Sequence, residues 1–246
     1  MKQAHVRLYG ELNDFLPVGK QGIPVDYFFD VSGSVKDMIE ALGVPHTEID
    51  LILVNGESVD FSRPVQDGDL VSVYPHFRTI DIGPIVSVRP QRLRRIRFVL
   101  DIHLGRLAAY LRLLGFDSLY RNDFVDEDLA RISSAEDRIL LTRDRGLLKH
   151  ARIRYGYCVR ESEIRRQVLE VLRRYDLFDS IAPFRRCLRC NELLQPVPKE
   201  SIHHKLPPRV ERAYEEFHLC PACGRIYWKG SHYERMQTFI AEVADR

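Results

Sequence analysis

A single aspartate, Asp144, stands between two arginines in the stretch ILLTRDRGLL, just past an apolar run. A carboxylate at the end of a strand can bind a divalent metal ion, and arginines beside it can bind phosphate. The structural alternative is a turn residue that pairs with a neighbouring arginine. Asp144 is therefore a candidate for metal-dependent phosphate chemistry. Arg143 and Arg145 are candidates either to contact phosphate or to fix the neighbouring loop, and the sequence does not say which arginine does which.

Two further acidic positions are comparable: Asp101 follows the apolar run FVL, and Asp126 opens the acidic helix start in DEDLARISSAED. Mg²⁺ and Mn²⁺ take oxygen ligands, activate bound water and stabilise charge on a scissile phosphate. One aspartate at a strand end is more often a helix cap or a turn residue. Three at corresponding ends of one parallel sheet favour a shared Mg²⁺ or Mn²⁺ site, to which Asp101, the cluster Asp126-Glu127-Asp128 and Asp144 would supply ligands.

Four of the five cysteines form two CxxC pairs separated by 29 residues. Two such pairs are typical of a zinc ribbon, in which four thiolates close the coordination shell and leave no place for a catalytic water. We therefore expect one structural Zn²⁺, bound by Cys187, Cys190, Cys220 and Cys223. The fifth, Cys158, is predicted to be a buried strand residue.

Charge is unevenly distributed along the chain. Residues 1–84 carry a net charge of −7, residues 85–186 carry +8 and residues 187–246 carry +1, and the basic residues of the middle segment are 21 Arg and one Lys. Arginine suits bidentate recognition of phosphate, although a solvated basic face remains an alternative. The distribution favours a polyanionic partner for the middle segment.

Aromatic and basic residues alternate after the second CxxC pair, in RIYWKGSHYERM. Such residues can stack on bases and bind the phosphates of single-stranded RNA, or the aromatic rings can form the small core of the ribbon. Both interpretations remain open from the sequence. The full set of candidate substrate contacts is Arg106, Arg112, Arg143, Arg145, Trp228, Lys229, His232 and Arg235.

The elements that must position these residues fall into three segments, with a linker between the first and the second. Residues 1–82 contain strand-like runs, a helix opened by a Ser34-x-x-Asp37 capping box and an Asn55-Gly56 hairpin, in the order of a β-grasp domain. Residues 83–95 are rich in Gly, Pro and Arg and are predicted to be a linker. Residues 96–186 alternate strands and helices, which predicts an α/β domain with a parallel sheet. Residues 187–246 form the zinc ribbon and tail.

The first segment resembles the ubiquitin-like sulfur-carrier proteins in LILVNGESV and VQDGDLVSVYP, but it lacks their terminal Gly-Gly. The resemblance therefore implies a binding or scaffolding module. A possible protein partner would dock through this domain.

From residue 96 to 237 the chain resembles the PIN-like ribonuclease domain found at the C-terminus of the Mut-seven exonucleases. The resemblance rests on FVLDIHLGRLAAYLRLLGFD, DEDLA, ILLTRDRGLL, RRCLRCNELLQPV and EFHLCPACGRIYWKGSHYERM. It implies a three-layer α/β/α fold and a metal site that carries over onto Asp101, Asp126 and Asp144.

The leading hypothesis is a metal-dependent ribonuclease that acts on structured or single-stranded RNA. A non-catalytic RNA-binding protein and an adaptor that docks through the β-grasp domain are the alternatives. No run of 18 apolar residues occurs and the N-terminus lacks the features of a signal peptide, so we expect a cytoplasmic protein with no membrane partner.

Overall fold

The computed structural model describes residues 1–77, 88, 93 and 95–244. Most of the linker predicted over residues 83–95 lies outside the described residues. The chain divides into two compact units: Met1–Arg95 with Val125–Cys158, and Ile96–Phe124 with Val159–Arg246. Among the described residues, no helix is both long and apolar enough to cross a bilayer.

The N-terminal segment forms a β-grasp domain, as the sequence predicted. Its elements are strands β1 Lys2–Leu8 and β2 Val25–Phe29, helix α1 Val35–Ala41, and strands β3 Ile49–Val54, β4 Glu57–Ser58 and β5 Leu70–Pro75. The strand order is β2-β1-β5-β3-β4, in which β1 and β5 pair in parallel and the other neighbours are antiparallel. The parallel central pair defines the β-grasp topology.

Local sequence signals account for two features of this domain. The Ser34 hydroxyl accepts a hydrogen bond from the Asp37 N–H at 3.1 Å, and the Asp37 carboxylate accepts one from the Ser34 N–H at 3.2 Å, so the capping box is confirmed. Asn55 and Gly56 have φ values of 53° and 88°, which form the tight turn between β3 and β4.

Strands and helices alternate in the next segment. They are β6 Arg97–Leu100, α2 Gly105–Leu113, β7 Asp117–Leu119, α3 Asp126–Glu136, β8 Ile139–Thr142, α4 Arg145–Leu148, β9 Gly156–Cys158 and α5 Ile164–Tyr175. In the first unit β8 pairs with β9 in parallel, and in the second unit β6 pairs with β7 in parallel. The predicted α/β class with parallel strands is therefore confirmed.

Every residue of β8 and β9 is buried, including Cys158, as expected for parallel strands that are covered on both faces. In α2 the predicted apolar face is likewise buried, with Leu107, Ala108 and Leu111 fully excluded from solvent. These apolar faces fix the strands and helices whose ends carry the candidate acidic residues.

The C-terminal segment is a ribbon of short elements followed by a long helix. They are β10 Gln195–Val197, α6 Lys199–Ile202, α7 Pro208–Ala213, β11 Phe217–Leu219, β12 Ile226–Trp228 and α8 Ser231–Ala244. The three strands form an antiparallel sheet in the order β10-β11-β12. Ile202, Leu206 and Phe217 form its small core.

Gly115, which ends α2, is placed against the backbone of Ala182. Its φ is 96°, and a Cβ atom at this position would lie 2.2 Å from the Ala182 carbonyl oxygen. The segment around Ala182 is tied to the helix end because the Ala182 N–H donates to the Leu114 carbonyl at 2.9 Å. A side chain at position 115 would therefore force two backbone segments apart.

We predict that Gly115→Ala lowers the free energy of unfolding of the second unit by clearly more than the penalty for placing alanine at a positive φ. The matched control is Gly68→Ala, where φ is 80° and no atom lies within 4 Å of the added Cβ. The control should cost roughly 1–2 kcal/mol, the usual penalty of the left-handed conformation. Thermal and urea melts of the full chain measure the difference, and equal losses in the two variants would contradict the close contact.

Candidate functional site

Asp144 caps helix α4 with one of its two carboxylate oxygens. Oδ1 accepts hydrogen bonds from the N–H groups of Gly146 at 2.6 Å and Leu147 at 3.2 Å. The Asp144 N–H donates to the Thr142 hydroxyl at 2.9 Å, which ties the residue to the end of β8. Within the described part of the chain Asp144 forms no ion pair, and its Oδ2 accepts no hydrogen bond. The side chain is exposed, so Oδ2 can bind a cation.

The two arginines beside Asp144 have different surroundings. The guanidinium of Arg145 donates to the carbonyl oxygens of Asp14 and Phe15, each at 3.3 Å, and lies 4.8 Å from the centre of the Phe15 ring. Arg143 is exposed and has no hydrogen-bond or ion-pair partner among the described side chains. Arg143 is thus the arginine of this pair that is available to a ligand.

The first turn of α3 carries three acidic residues, of which two form ion pairs. Glu127 forms an ion pair with Arg152, and Asp128 pairs with Arg131 at 3.0 Å. Asp126 is exposed, and over residues 1–77 and 95–244 its carboxylate has no such partner. Of the three acidic residues in this turn, Asp126 is therefore the one whose carboxylate is available to bind a metal ion or a substrate group.

Asp101 lies in the second unit, at the end of β6, and its side chain is almost fully buried. The next residues, Ile102–Leu104, form a turn of 3-10 helix. The Tyr120 hydroxyl donates to the Ile102 carbonyl at 3.1 Å, and a Cβ on Gly105 would lie 2.6 Å from that hydroxyl. Tyr120 thus fixes the turn that follows Asp101, and the glycine at the first position of α2 leaves the space for it.

Sequence reasoning missed Tyr120. The available signal was Gly105 itself, because glycine is a poor choice inside the first turn of a helix unless another group needs the space.

Of the two predicted substrate contacts on α2, one is exposed and the other binds carbonyl groups of the protein itself. Arg106 is exposed and unpaired within the described residues. Arg112 is buried, and its guanidinium donates to the carbonyls of Ser118 at 2.8 Å, Leu188 at 3.0 Å and Arg189 at 2.8 Å. The structure therefore gives Arg112 an intramolecular role, in place of the substrate contact that we expected.

The four CxxC cysteines form one cluster, in which all the Sγ atoms lie within 4.8 Å of one another. The Sγ atoms of Cys187 and Cys223 are 3.5 Å apart, and those of Cys190 and Cys220 are 3.3 Å apart. No other group of three or more His, Cys, Asp or Glu residues in the described chain brings its ligand atoms this close. Four sulfur ligands in this arrangement could hold a metal ion such as zinc.

The cysteines of the cluster differ in how readily they lose a proton. Burial raises the pKa of Cys187, but hydrogen bonds from the Tyr227 hydroxyl and from the backbone N–H groups of Cys190 and Arg189 outweigh burial and lower that pKa to about 6. Burial raises the pKa of the neighbouring Cys190 to about 12. Burial also lowers the pKa of Arg112, although the charges of Cys187 and Cys190 oppose that shift. The buried guanidinium of Arg112 therefore interacts favourably with the thiolate forms of these two cysteines.

The aromatic residues of the tail take part in the ribbon. Trp228 packs against the core of Ile202, Leu206 and Phe217, and the Tyr227 hydroxyl contacts the Cys187 sulfur at 3.1 Å. Both contacts agree with the packing interpretation of these rings. Lys229 is exposed and pairs with Glu216 at 2.6 Å. The side chains of His232 and Arg235, two further candidate contacts, lie outside the described part of the structure.

The family comparisons divide the chain near the predicted linker. The model of the Mut7-C RNAse domain matches residues 96–240, and the model of the Mut7-C ubiquitin domain matches residues 1–81. Searches of curated proteins and of solved structures each gave no match. The ribonuclease-domain match spans more than half of the chain and includes both the acidic candidates and the cysteine cluster, which supports a nuclease-like role. The chain belongs to the Mut7-C RNAse domain family and carries a Mut7-C ubiquitin domain at its N-terminus.

Proposed function

We propose that the protein is a PIN-like, metal-dependent ribonuclease in which Asp101, Asp126 and Asp144 bind Mg²⁺ or Mn²⁺. The observation that carries the proposal is the ribonuclease-family match over residues 96–240, which contains all three aspartates. Each aspartate follows a parallel strand or opens the helix after one, the usual place for ligand-binding groups in α/β folds. Carboxylate oxygens are also the ligands that these hard cations prefer.

The surroundings of the aspartates suit different tasks. One oxygen of Asp144 caps α4, and its second oxygen accepts no hydrogen bond within the described chain, so it is available to a cation. Asp126 is exposed and unpaired within the described chain, while Asp101 is almost buried beside the turn held by Tyr120. A bound divalent ion would supply an activated water and stabilise charge on the phosphate. The carboxylates would orient that water and accept its proton.

RNA is the proposed substrate, and the exposed arginines are its proposed phosphate contacts. Arg106 and Arg143 have no ion-pair partner in the described chain, so their guanidinium groups can bind phosphate without breaking an existing pair. Lys229, His232 and Arg235 remain proposed contacts on the ribbon and α8. Trp228 is partly exposed, so one edge of its ring can still meet a base while the other packs in the ribbon.

A structural zinc ion is the proposed occupant of the cysteine cluster. Zinc bound by four thiolates carries a net negative charge, and the buried guanidinium of Arg112 would offset part of it. Two CxxC pairs that bind zinc, rather than form disulfides, suit a reducing compartment, and on that ground we propose a cytoplasmic location.

The first test compares two neighbouring carboxylates of α3. We expect Asp126→Asn to reduce Mn²⁺-dependent RNA cleavage by more than about 100-fold, since even residues outside the first coordination shell contribute roughly 10- to 100-fold. RNA binding should persist. Asp128→Asn is the matched control because Asp128 pairs with Arg131, and its cleavage should stay near wild type. Wild-type protein that binds RNA without cleaving it would favour the RNA-binding alternative.

The second test separates the two oxygens of Asp144. We predict that Asp144→Asn retains the cap on α4, because asparagine is an equally good N-cap residue, and therefore melts like the wild type while losing cleavage. Asp144→Ala should lose cleavage and, in addition, about 1 kcal/mol of stability. Melting curves beside a Mn²⁺-dependent cleavage assay distinguish the roles. An Asp144→Asn protein that still cleaves RNA would remove this residue from the metal site.

The third test concerns zinc. Elemental analysis should find about one Zn²⁺ per chain, and Cys220→Ser should lose it and melt earlier, because binding free energy at such sites is folding free energy. Cys158→Ser is the control, since Cys158 is buried in β9 and separate from the cluster. Equal zinc contents in the two variants would contradict the assignment of the cluster.

A further inference from the structure

The β-grasp domain is fastened to the segment Val125–Cys158 within the first unit. The Lys149 ammonium donates to the Glu40 carbonyl at 2.6 Å, and Nε2 of His46 donates to the Ile153 carbonyl at 2.8 Å. The Cys158 N–H donates to the Glu48 carboxylate at 2.6 Å. Glu48 is 0% exposed, so this carboxylate would be costly to bury without such partners. The domain is thus an integral part of the unit that contains Asp126 and Asp144.

The contact nearest the candidate site is made by Arg145. Its guanidinium donates to two successive carbonyls, those of Asp14 and Phe15, at the end of the 3-10 turn Gly10–Phe15, and it lies over the Phe15 ring. Phe15 is itself buried in the core of the β-grasp domain. Arg145 therefore binds a turn whose last residue is packed into that core.

Arg145 follows Asp144 directly and is the first residue of α4. The next two residues, Gly146 and Leu147, supply the N–H groups that bind the Asp144 carboxylate. Anchoring Arg145 therefore fixes both the backbone before those donors and the orientation of the carboxylate that they hold.

We propose that Arg145 is a positioning residue, through which the Phe15 turn of the β-grasp domain holds the carboxylate of Asp144 ready to bind metal. This inference rests on the proposed role of Asp144 as a metal ligand. It assigns the N-terminal domain a part in the nuclease centre, rather than a role only in docking other proteins. It also divides the two arginines: Arg145 holds the loop, and Arg143 is left to meet phosphate.

A direct contact between Arg145 and RNA phosphate makes a different prediction. Two of the five N–H donors of the guanidinium already bind carbonyls, and moving the group away toward a phosphate would also cost its place over an aromatic ring. Removing a phosphate contact would weaken RNA binding and leave the response to metal unchanged. Removing a positioning residue would instead weaken the response to metal.

The experiment compares Arg145→Ala, Arg145→Lys and Lys149→Ala in the full chain. We measure the Mn²⁺ concentration for half-maximal RNA cleavage, the KM for RNA, and amide hydrogen exchange over residues 144–149. Arg145→Ala should raise the Mn²⁺ midpoint about 10-fold, as is typical when a residue that supports a metal ligand is lost. It should also accelerate exchange of the Gly146 and Leu147 amides, with a smaller change in KM.

Arg145→Lys should restore part of both effects because an ammonium can still donate to one of the carbonyls. Lys149→Ala removes a different hydrogen bond between the β-grasp domain and the same segment, so it should leave the Mn²⁺ midpoint near wild type. A variant Arg145→Ala with a raised KM but an unchanged Mn²⁺ midpoint and unchanged exchange would overturn the proposal and return Arg145 to the substrate contacts.

The exchange measurement also separates this inference from the proposed function. If the wild type shows no metal-dependent cleavage, the proposed ribonuclease site fails, and faster amide exchange in Arg145→Ala alone would still establish the anchoring of the loop. If the wild type cleaves RNA with Mn²⁺ and the exchange does not change in Arg145→Ala, the ribonuclease proposal stands and the anchoring fails.

Discussion

The four-residue strands β6 and β8 are too short to hold a charged group in place without support from neighbouring elements. Asp101 follows β6 directly, and Asp144 follows β8 after one residue. Both are candidate metal ligands, and carboxylates that share a metal ion repel one another before the ion is bound. The backbone must therefore be held by contacts that do not depend on the metal. Hydrogen bonds from neighbouring loops and from the β-grasp domain provide such contacts.

In the second unit the cysteine-bearing loop supplies them. Asn191, directly after the first CxxC pair, accepts a hydrogen bond from the Ser118 N–H at 2.9 Å and donates to the Asp117 carboxylate at 2.8 Å. Asn191 and Arg112 together join the loop of the first CxxC pair to β7 and to the end of α2. Because β7 pairs with β6, a metal ion in the cysteine cluster would stiffen the strand that ends at Asp101. The cysteine-bearing loop therefore also supports the strand that ends at Asp101.

Features set by neighbouring residues were readable from the sequence. The capping box at Ser34 and the hairpin at Asn55 depend on a few adjacent residues, and the buried face of α2 depends on helical periodicity. The cysteine cluster was predictable because its ligands have a distinctive chemistry and spacing. In each case the local pattern contains most of the physical cause.

The roles of the arginines were less readable, because the sequence gives their charge but not their partners. Arg112 and Arg145 bind carbonyl groups 76 and 130 or more residues away, and backbone carbonyls leave no mark in the sequence. Arg106 and Arg143 have the same chemistry and face solvent. Composition alone therefore suggested one basic surface, where the structure has both internal anchors and exposed cations.

The interleaving of the two units has a consequence for synthesis on the ribosome. The Ser118 N–H cannot bind Asn191 until the ribosome has added a further 73 residues. At typical elongation rates that synthesis takes roughly 4 to 15 seconds. Over the same interval the segment Val125–Cys158 emerges and can join the β-grasp domain that is already made. The unit with Asp144 can thus assemble while that with Asp101 is still incomplete, so in a nascent chain Asp144 can be in a folded unit before Asp101 is.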